Sequence, residues 1–163
     1  MKKIIAKAAL FVLASGVTVT CFANPYFGAK ADRIQVNVDG VSLNYGGARV
    51  TGGYQLTDHF AVEGHVGTGV SDAKIAGQTS QLGTYYGVDL VGKLPVTEKI
   101  YARANVGYGS IEIDGIKDND IRFGVGAGYQ LSANTDLTFS LERWYSKEGV
   151  TINSLNTGVS YKF

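Results

Sequence analysis

The chain has 163 residues, a formal net charge of +1, 22 glycines, 10 tyrosines and one cysteine, Cys21. A single cysteine excludes an intramolecular disulfide, and the near-neutral charge gives no indication of a nucleic-acid partner. The length fits one domain, although a composition so rich in glycine and tyrosine is unusual for a soluble one.

The N-terminal residues have the features of a cleavable secretion signal. Two lysines precede an uncharged stretch at residues 8–19, and Ala23 ends a small-x-small motif before Asn24. The uncharged stretch is shorter than the roughly 20 residues that a membrane-spanning helix needs. We predict a signal peptide over residues 1–23 that is cleaved between Ala23 and Asn24. Lipidation of Cys21 is the alternative, but Thr20 does not fit the small residue expected before a lipidated cysteine.

From Asn24 to Phe163 the polarity alternates with a period of two, which is typical of strands with one apolar and one polar face. The pattern predicts eight strands, and many of them approach the roughly 9 to 11 residues that a tilted strand needs to cross a bilayer. The predicted strands cover residues 26–31, 50–56, 60–70, 82–94, 100–109, 121–131, 137–145 and 155–163.

The predicted connections alternate in length along the chain. Tight links are expected at 57–58, 96–99 and 132–135, and longer polar loops at 32–40, 71–81 and 112–120, with a short one at 147–149. Short turns at one end and longer loops at the other are the plan of an outer-membrane barrel. We therefore predict an all-β protein: an eight-stranded antiparallel up-and-down transmembrane β-barrel over residues 24–163, preceded by the signal peptide.

The glycines indicate which face of each strand points inward. They lie on the polar face, where a narrow lumen leaves little room for side chains. A soluble barrel with an apolar ligand in its core would need the opposite orientation, and its exterior would carry Lys, Glu and Thr more naturally than glycine. The glycines concerned are Gly83, Gly87, Gly107, Gly109, Gly124, Gly126 and Gly128.

Aromatic residues on the apolar face also favour a membrane barrel. Most of them fall near predicted strand ends, as expected for an aromatic girdle at the membrane interface. They are Tyr54, Phe60, Tyr129, Phe139, Tyr145, Tyr161 and Phe163.

Two features resemble small outer-membrane barrels of the OmpA-like and OmpX-like superfamily. Residues 159–163, Val-Ser-Tyr-Lys-Phe, are similar to the C-terminal strand whose final aromatic residue is read by the barrel-assembly machinery. The phrase Gly-Tyr-Gln-Leu occurs at 53–56 and again at 128–131, followed each time by a new strand. The resemblance covers residues 24–163. It implies an assembly signal at Tyr161 and Phe163, but no particular function, because the family includes adhesins, stress-resistance proteins and minor channels.

Residue parity predicts a set of charged side chains inside the barrel. Charges enclosed together are costly unless they pair, so we expect a salt-bridged plug. The alternative is a network that exchanges partners and opens a narrow path, as is proposed for OmpA-like relatives. The predicted lumen residues are Arg49, Glu63, His65, Asp89, Lys93, Arg103, Arg122 and Glu142.

The sequence contains no metal-ligand cluster, phosphate loop or nucleotide-binding fingerprint. The two histidines, His59 and His65, have no serine placed to act as a nucleophile, and Glu63 is the only carboxylate placed by spacing beside His65. Residues 113–120 carry several carboxylates but lack the spacing of a calcium loop, so we predict a solvated hairpin. We expect no enzymatic activity, cofactor or metal.

The favoured function is a non-enzymatic, monomeric component of a Gram-negative outer membrane that contributes to envelope integrity or surface interaction. The expected partners are outer-membrane lipid, lipopolysaccharide and the barrel-assembly machinery, with no nucleic acid. A small or gated porin-like channel is the first alternative. A soluble periplasmic ligand-binding barrel is the second.

Overall fold

The structure is a computed structural model that describes residues 24–38, 41–75, 78–144 and 150–163. Within these residues the secondary structure consists of ten β-strands. They are β1 (Asn24–Val38), β2 (Val41–Gln55), β3 (Phe60–Ser71), β4 (Ala73–Ile75), β5 (Gln78–Ser80), β6 (Leu82–Pro95), β7 (Ile100–Ile113), β8 (Ile116–Gln130), β9 (Thr135–Trp144) and β10 (Val150–Lys162).

Eight of the strands form a closed antiparallel barrel in the order β1-β10-β9-β8-β7-β6-β3-β2. The barrel closes because β1 pairs with β2 on one side and with β10 on the other, for example through Tyr26 opposite Lys162. Closure leaves no free sheet edge, so every barrel strand has a partner on both sides. The predicted eight-stranded barrel is confirmed. In the described part of the chain, no helix is long and apolar enough to cross a membrane.

The strands are longer than the sequence pattern predicted, and two predicted loops are wrong. The expected loop at 32–40 is strand as far as Val38, and β2 begins at Val41. The expected loop at 112–120 belongs to β7 and β8, which are joined by a two-residue turn at Asp114 and Gly115. The expected loop at 71–81 contains the β4–β5 hairpin. The predicted link at 147–149 lies outside the described residues, as does the predicted signal peptide at 1–23.

The remaining short turns lie together at one end of the barrel, here called the turn end, where β1 also begins and β10 ends. Two of these turns share one construction: the side-chain oxygen of Thr57 accepts from the amide of Phe60 at 3.0 Å, and Thr97 accepts from Ile100 at 3.0 Å. A threonine that satisfies a free amide in this way favours a tight turn. The opposite end is called the cap end.

The outer wall carries a continuous apolar band that starts at the turn end. Its aromatic members there include Tyr54, Phe60, Tyr161 and Phe163, which are 50–72% exposed. Tyr161 and Phe163 also contact each other edge to face, with ring centroids 5.3 Å apart. A band of exposed apolar side chains around a closed barrel is the surface that a bilayer covers. The predicted girdle residue Tyr145 lies outside the described residues.

The polarity of the strands reverses toward the cap end. On β1 the buried residues beyond Asp32 are Ile34 and Val36, while Arg33 is exposed. Such a pattern suits strands that have left the lipid, where water covers the outside and apolar side chains fill the inside. The buried cluster formed there, here called the apolar cap, comprises Ile34, Val36, Tyr45, Ala73, Leu82, Tyr85, Ile111, Trp144 and Ile152.

A register shift accounts for one misplaced residue. The pairing between β6 and β7 jumps from Leu82 opposite Ile113 to Tyr85 opposite Ile111. Such an irregularity changes which side of the strand faces inward. The prediction that Leu82 lies on the outer apolar face is therefore wrong, because Leu82 is 5% exposed and packs in the apolar cap.

Candidate functional site

The structure places the predicted charged residues in the lumen. Seven of the eight are buried, with 1–6% exposure, and the eighth, Lys93, is half-buried toward the turn end. Sequence parity missed Lys30, Asp32 and Asp136, which are also buried. The signal for the first two was present, because Tyr26, Gly28, Lys30 and Asp32 alternate with apolar neighbours, but the first strand was predicted to end at residue 31.

Glu63 is the centre of one group of ion pairs. Its Oε1 atom accepts from Lys30 Nζ at 2.7 Å and from Arg103 Nη2 at 3.0 Å, while its Oε2 atom accepts from the hydroxyl of Tyr26 at 3.2 Å. Lys30 comes from β1, Glu63 from β3 and Arg103 from β7. The group therefore joins opposite parts of the barrel wall across its interior.

Arg122 is the centre of a second group. Its Nε and Nη2 atoms contact the two carboxylate oxygens of Asp89 at 3.0 and 2.5 Å, which is the two-pronged geometry that makes arginine–carboxylate pairs strong. Its Nη1 atom lies 2.8 Å from His65 Nε2. The guanidinium also lies over the Trp144 ring, 5.1 Å from its centroid. The arginine thus connects the polar middle of the lumen to the apolar cap.

Arg49 links further carboxylates to this second group. It contacts Glu142 with Nη1 at 3.2 Å and Nη2 at 3.1 Å, and its Nε atom lies 3.3 Å from Asp32. Glu142 in turn lies 3.7 Å from Arg122, and Tyr85 donates to Asp32 at 2.6 Å. The side chains at mid-barrel are thus held from several strands at once. We call these nine residues the lumen network: Lys30, Asp32, Arg49, Glu63, His65, Asp89, Arg103, Arg122 and Glu142.

The lumen remains polar and occupied toward the turn end. The ammonium of Lys93 lies over the rings of Tyr26 and Tyr101, at 5.1 and 5.6 Å from their centroids. Tyr101 donates to Asp136 at 3.1 Å, and Lys162 approaches the same carboxylate at 2.8 Å. Cation–aromatic contacts and ion pairs therefore fill this level.

His65 is not arranged as a general base. An arginine can only donate, so the 2.8 Å contact makes His65 Nε2 an acceptor, and the opposite nitrogen, Nδ1, lies 3.3 Å from Asp89. Both ring nitrogens are therefore engaged, and within the described residues neither bonds to a serine hydroxyl. Glu63, the carboxylate that the spacing placed beside His65, is instead bound by Lys30 and Arg103. His59 lies at an exposed turn.

Among the described residues, no group of three or more His, Cys, Asp or Glu side chains is placed so that it could hold a metal ion. In the segment 113–120 the carboxylate of Asp114 accepts from Ser80 Oγ at 2.6 Å and from the amide of Gln81 at 2.7 Å. These two hydrogen bonds lower the pKa of Asp114. They fasten the β7–β8 turn to the chain just after the β4–β5 hairpin, so the segment is the solvated hairpin that the sequence predicted.

Comparison with known proteins places this architecture among outer-membrane barrels. The family model described as outer membrane protein beta-barrel domain matches residues 5–163. Ail, the attachment invasion locus protein of Yersinia pestis, superposes with a TM-score of 0.61 at 16% identity, covering 86% of this chain and 99% of that one. Neisserial surface protein A gives 0.58 at 22% identity, covering 85% and 97%. No curated protein sequence matches this chain. At these identities the likeness to solved structures concerns the fold.

Proposed function

Because the chain belongs to the outer membrane protein beta-barrel domain family, as an integral outer-membrane barrel, we propose that it is a closed, non-enzymatic component contributing to envelope integrity. The observation that carries the proposal is the filling of the lumen. The lumen network occupies the middle of the barrel, and the apolar cap lies across the cap end. An eight-stranded barrel is just wide enough for its own side chains.

Ion passage would require two separate changes. The lumen network would have to exchange partners, and residues such as Leu82 and Ile111, which are 5% and 2% exposed, would have to leave the apolar cap. Burying an ion among apolar side chains is expensive, so rearrangement of the charges alone does not open a path. A gated channel is the second candidate, because Glu63 forms ion pairs with both Lys30 and Arg103 and can therefore exchange one partner for the other.

Planar-bilayer conductance tests this proposal directly. The purified protein should show no discrete openings, and Arg103→Ala should not create them, because the apolar cap stays in place. A triple variant that adds Leu82→Ser and Ile111→Ser to Arg103→Ala removes both obstacles and serves as the positive control. Reproducible single-channel openings of the unmodified protein that change with Arg103→Ala would overturn the closed barrel in favour of the channel.

We further infer that the C-terminal residues are the signal for the assembly machinery. Phe163 is 72% exposed on the outer wall and packs against Tyr161, so its aromatic ring is available to a partner. Phe163→Ala should slow the appearance of folded barrel in vesicles that contain the machinery by several-fold, with little change in lipid alone. Tyr129→Ala, at an outward position near the same end, is the matched control. Equal assembly rates for Phe163→Ala and the unmodified protein would contradict the assignment.

A role in surface contact is a further part of the proposal. Ail has been crystallised in complex with the heparin analogue sucrose octasulfate. In this chain the described surface at the cap end includes the β4–β5 hairpin, held to the β7–β8 turn by Asp114. This fixed hairpin supports the idea of a contact surface. Loss of cell adhesion after Asp114→Ala, with an unchanged amount of barrel in the membrane, is the expected result; unchanged adhesion would count against it.

A further inference from the structure

A groove of about 710 Å³ lies on the outer wall of the barrel, and Glu142 is the one member of the lumen network among the residues that line it. Residues of β8, β9 and β10 form most of it, with Arg33 and Gln35 from β1 and Asn44 from β2. Arg33, Arg143 and Asn153 are among the residues that line it. Its floor includes the apolar side chains of Leu141 and Leu155. The groove therefore combines two cations with an apolar surface.

The strand register brings the two arginines to one side of the barrel. Arg33 on β1 is opposite Leu155 on β10, and Arg143 on β9 is opposite Asn153, two residues away on the same strand. With strands about 4.8 Å apart and a rise of about 3.3 Å per residue, their Cα atoms are about 12 Å apart. Two arginine side chains span that distance, so both guanidinium groups can reach one anionic headgroup.

Both arginines are exposed on the outer wall. Among residues 24–38, 41–75, 78–144 and 150–163, no carboxylate forms an ion pair with Arg33 or Arg143. Arg143 has a neutral hydrogen-bond partner: its Nε atom donates to Asn153 Oδ1 at 2.8 Å. This hydrogen bond uses one donor of the guanidinium and orients the group. The lumen arginines, in contrast, are all paired with carboxylates.

The height of the groove corresponds to a membrane boundary. Arg33 follows Pro25 by eight residues, and Arg143 follows Thr135 by eight, where Pro25 and Thr135 both lie at the turn end. At a strand tilt of about 40°, eight residues rise about 20 Å, close to the far edge of an apolar band about 25 Å tall. The outward residues below Arg33 are apolar, and Gln35 above it is polar. In the usual orientation, with short turns in the periplasm, this level is the headgroup region of the outer leaflet.

We propose that this groove binds a phosphorylated glycolipid of the outer leaflet, the lipid A part of lipopolysaccharide. Its phosphate lies between Arg33 and Arg143, because guanidinium groups bind phosphate through paired charge-assisted hydrogen bonds. One acyl chain lies on the floor formed by Leu141 and Leu155. The site requires the barrel to span the outer membrane, but it is independent of whether the lumen conducts ions.

Native mass spectrometry of the detergent-purified protein, titrated with lipid A and with dephosphorylated lipid A, tests the site. The variants are Arg33→Gln/Arg143→Gln and, as a matched control, Lys99→Gln/Lys117→Gln, which removes the same charge from exposed positions elsewhere. The arginine variant should bind lipid A at least about tenfold more weakly, the expected loss when one charged hydrogen bond or more disappears. The lysine control should bind like the unmodified protein.

Further comparisons distinguish binding of the phosphate by the two arginines from attraction by the total charge of the protein. Dephosphorylated lipid A should bind the unmodified protein as weakly as intact lipid A binds the arginine variant, because both lack the same contact. Arg33→Lys/Arg143→Lys should recover only part of the affinity, since lysine cannot form the paired contact. Equal affinity in the arginine variant and the unmodified protein would overturn the proposal. An equal loss in the lysine control would also overturn it, because the attraction would then depend on total charge. Far-ultraviolet circular dichroism verifies that each variant is folded.

Discussion

Replacing Arg122 by alanine should destabilise the barrel strongly without opening it. Arg122 is 1% exposed and makes two charge-assisted hydrogen bonds to Asp89. Each such bond contributes about 1.5–3 kcal/mol, and breaking a buried ion pair costs about 3–5 kcal/mol because the remaining charge stays buried. In the variant, Asp89 would retain only Asn105, at 3.3 Å, and His65. We therefore expect the free energy of unfolding to fall by about 3–5 kcal/mol.

Urea unfolding in lipid vesicles, followed by tryptophan fluorescence, measures this loss. Trp144 is the only tryptophan in the chain and its ring lies beside Arg122, so the signal reports on the lumen itself. Lys99→Ala, at an exposed turn, should change the free energy of unfolding by no more than about 0.5 kcal/mol. Asp89→Asn combined with Arg122→Met should recover part of the stability, because both buried charges are then absent. A loss below about 1 kcal/mol for Arg122→Ala would refute the view that paired charges hold the lumen together.

Three further outcomes are expected. Glu63→Gln should lower the free energy of unfolding by about 3–5 kcal/mol, and adding Lys30→Met should restore part of it; additive losses in urea unfolding would contradict the pairing. Gly67→Ala should cost about 1–3 kcal/mol in the same assay, because the added carbon meets the side chain of Tyr85, whereas Gly52→Ala, which meets open space, should be close to neutral. Equal effects would contradict this packing. Because its two hydrogen bonds lower the pKa of Asp114, these bonds should persist as the pH falls through the ordinary aspartate value near 4 and should be lost only at the lower folded-state value. The amide proton of Gln81, which bonds to Asp114, should therefore titrate below pH 4 by NMR, and a midpoint at or above 4 would contradict this.

Period-two alternation was sufficient to predict the barrel and much of its interior. Residues such as Glu63, Asp89 and Arg122 lie in the middle of strands whose outer face is covered by lipid, so the contrast between the two faces is large and parity alone places them. Pairing could not be predicted in the same way. Which cation contacts Glu63 depends on how β1, β3 and β7 are arranged around the barrel, and the tilt of the strands brings together residues far apart in sequence.

The apolar cap was missed for a physical reason. Beyond the membrane the outside of a strand faces water, so Ile34 and Val36 point inward while Arg33 points outward, and the pattern is the inverse of that in the spanning part. Where the inner and outer faces exchange polarity within one strand, the sequence pattern resembles the end of that strand. Residues 32–40 were predicted to be a loop for this reason. The irregular pairing near Leu82 further weakened the alternation.

This inversion also has a consequence for how the barrel avoids misassembly. Sliding one strand by a single residue exchanges its inner and outer faces along its whole length. In the lipid-covered part such a slip would move charges such as Lys30 into hydrocarbon, and at the cap end it would turn Ile34 and Val36 into water and bring Arg33 inside. Strand ends that are polar on both faces would tolerate the slip. Here the two halves of β1 oppose it independently, so the correct alignment is enforced beyond the edge of the bilayer as well as within it.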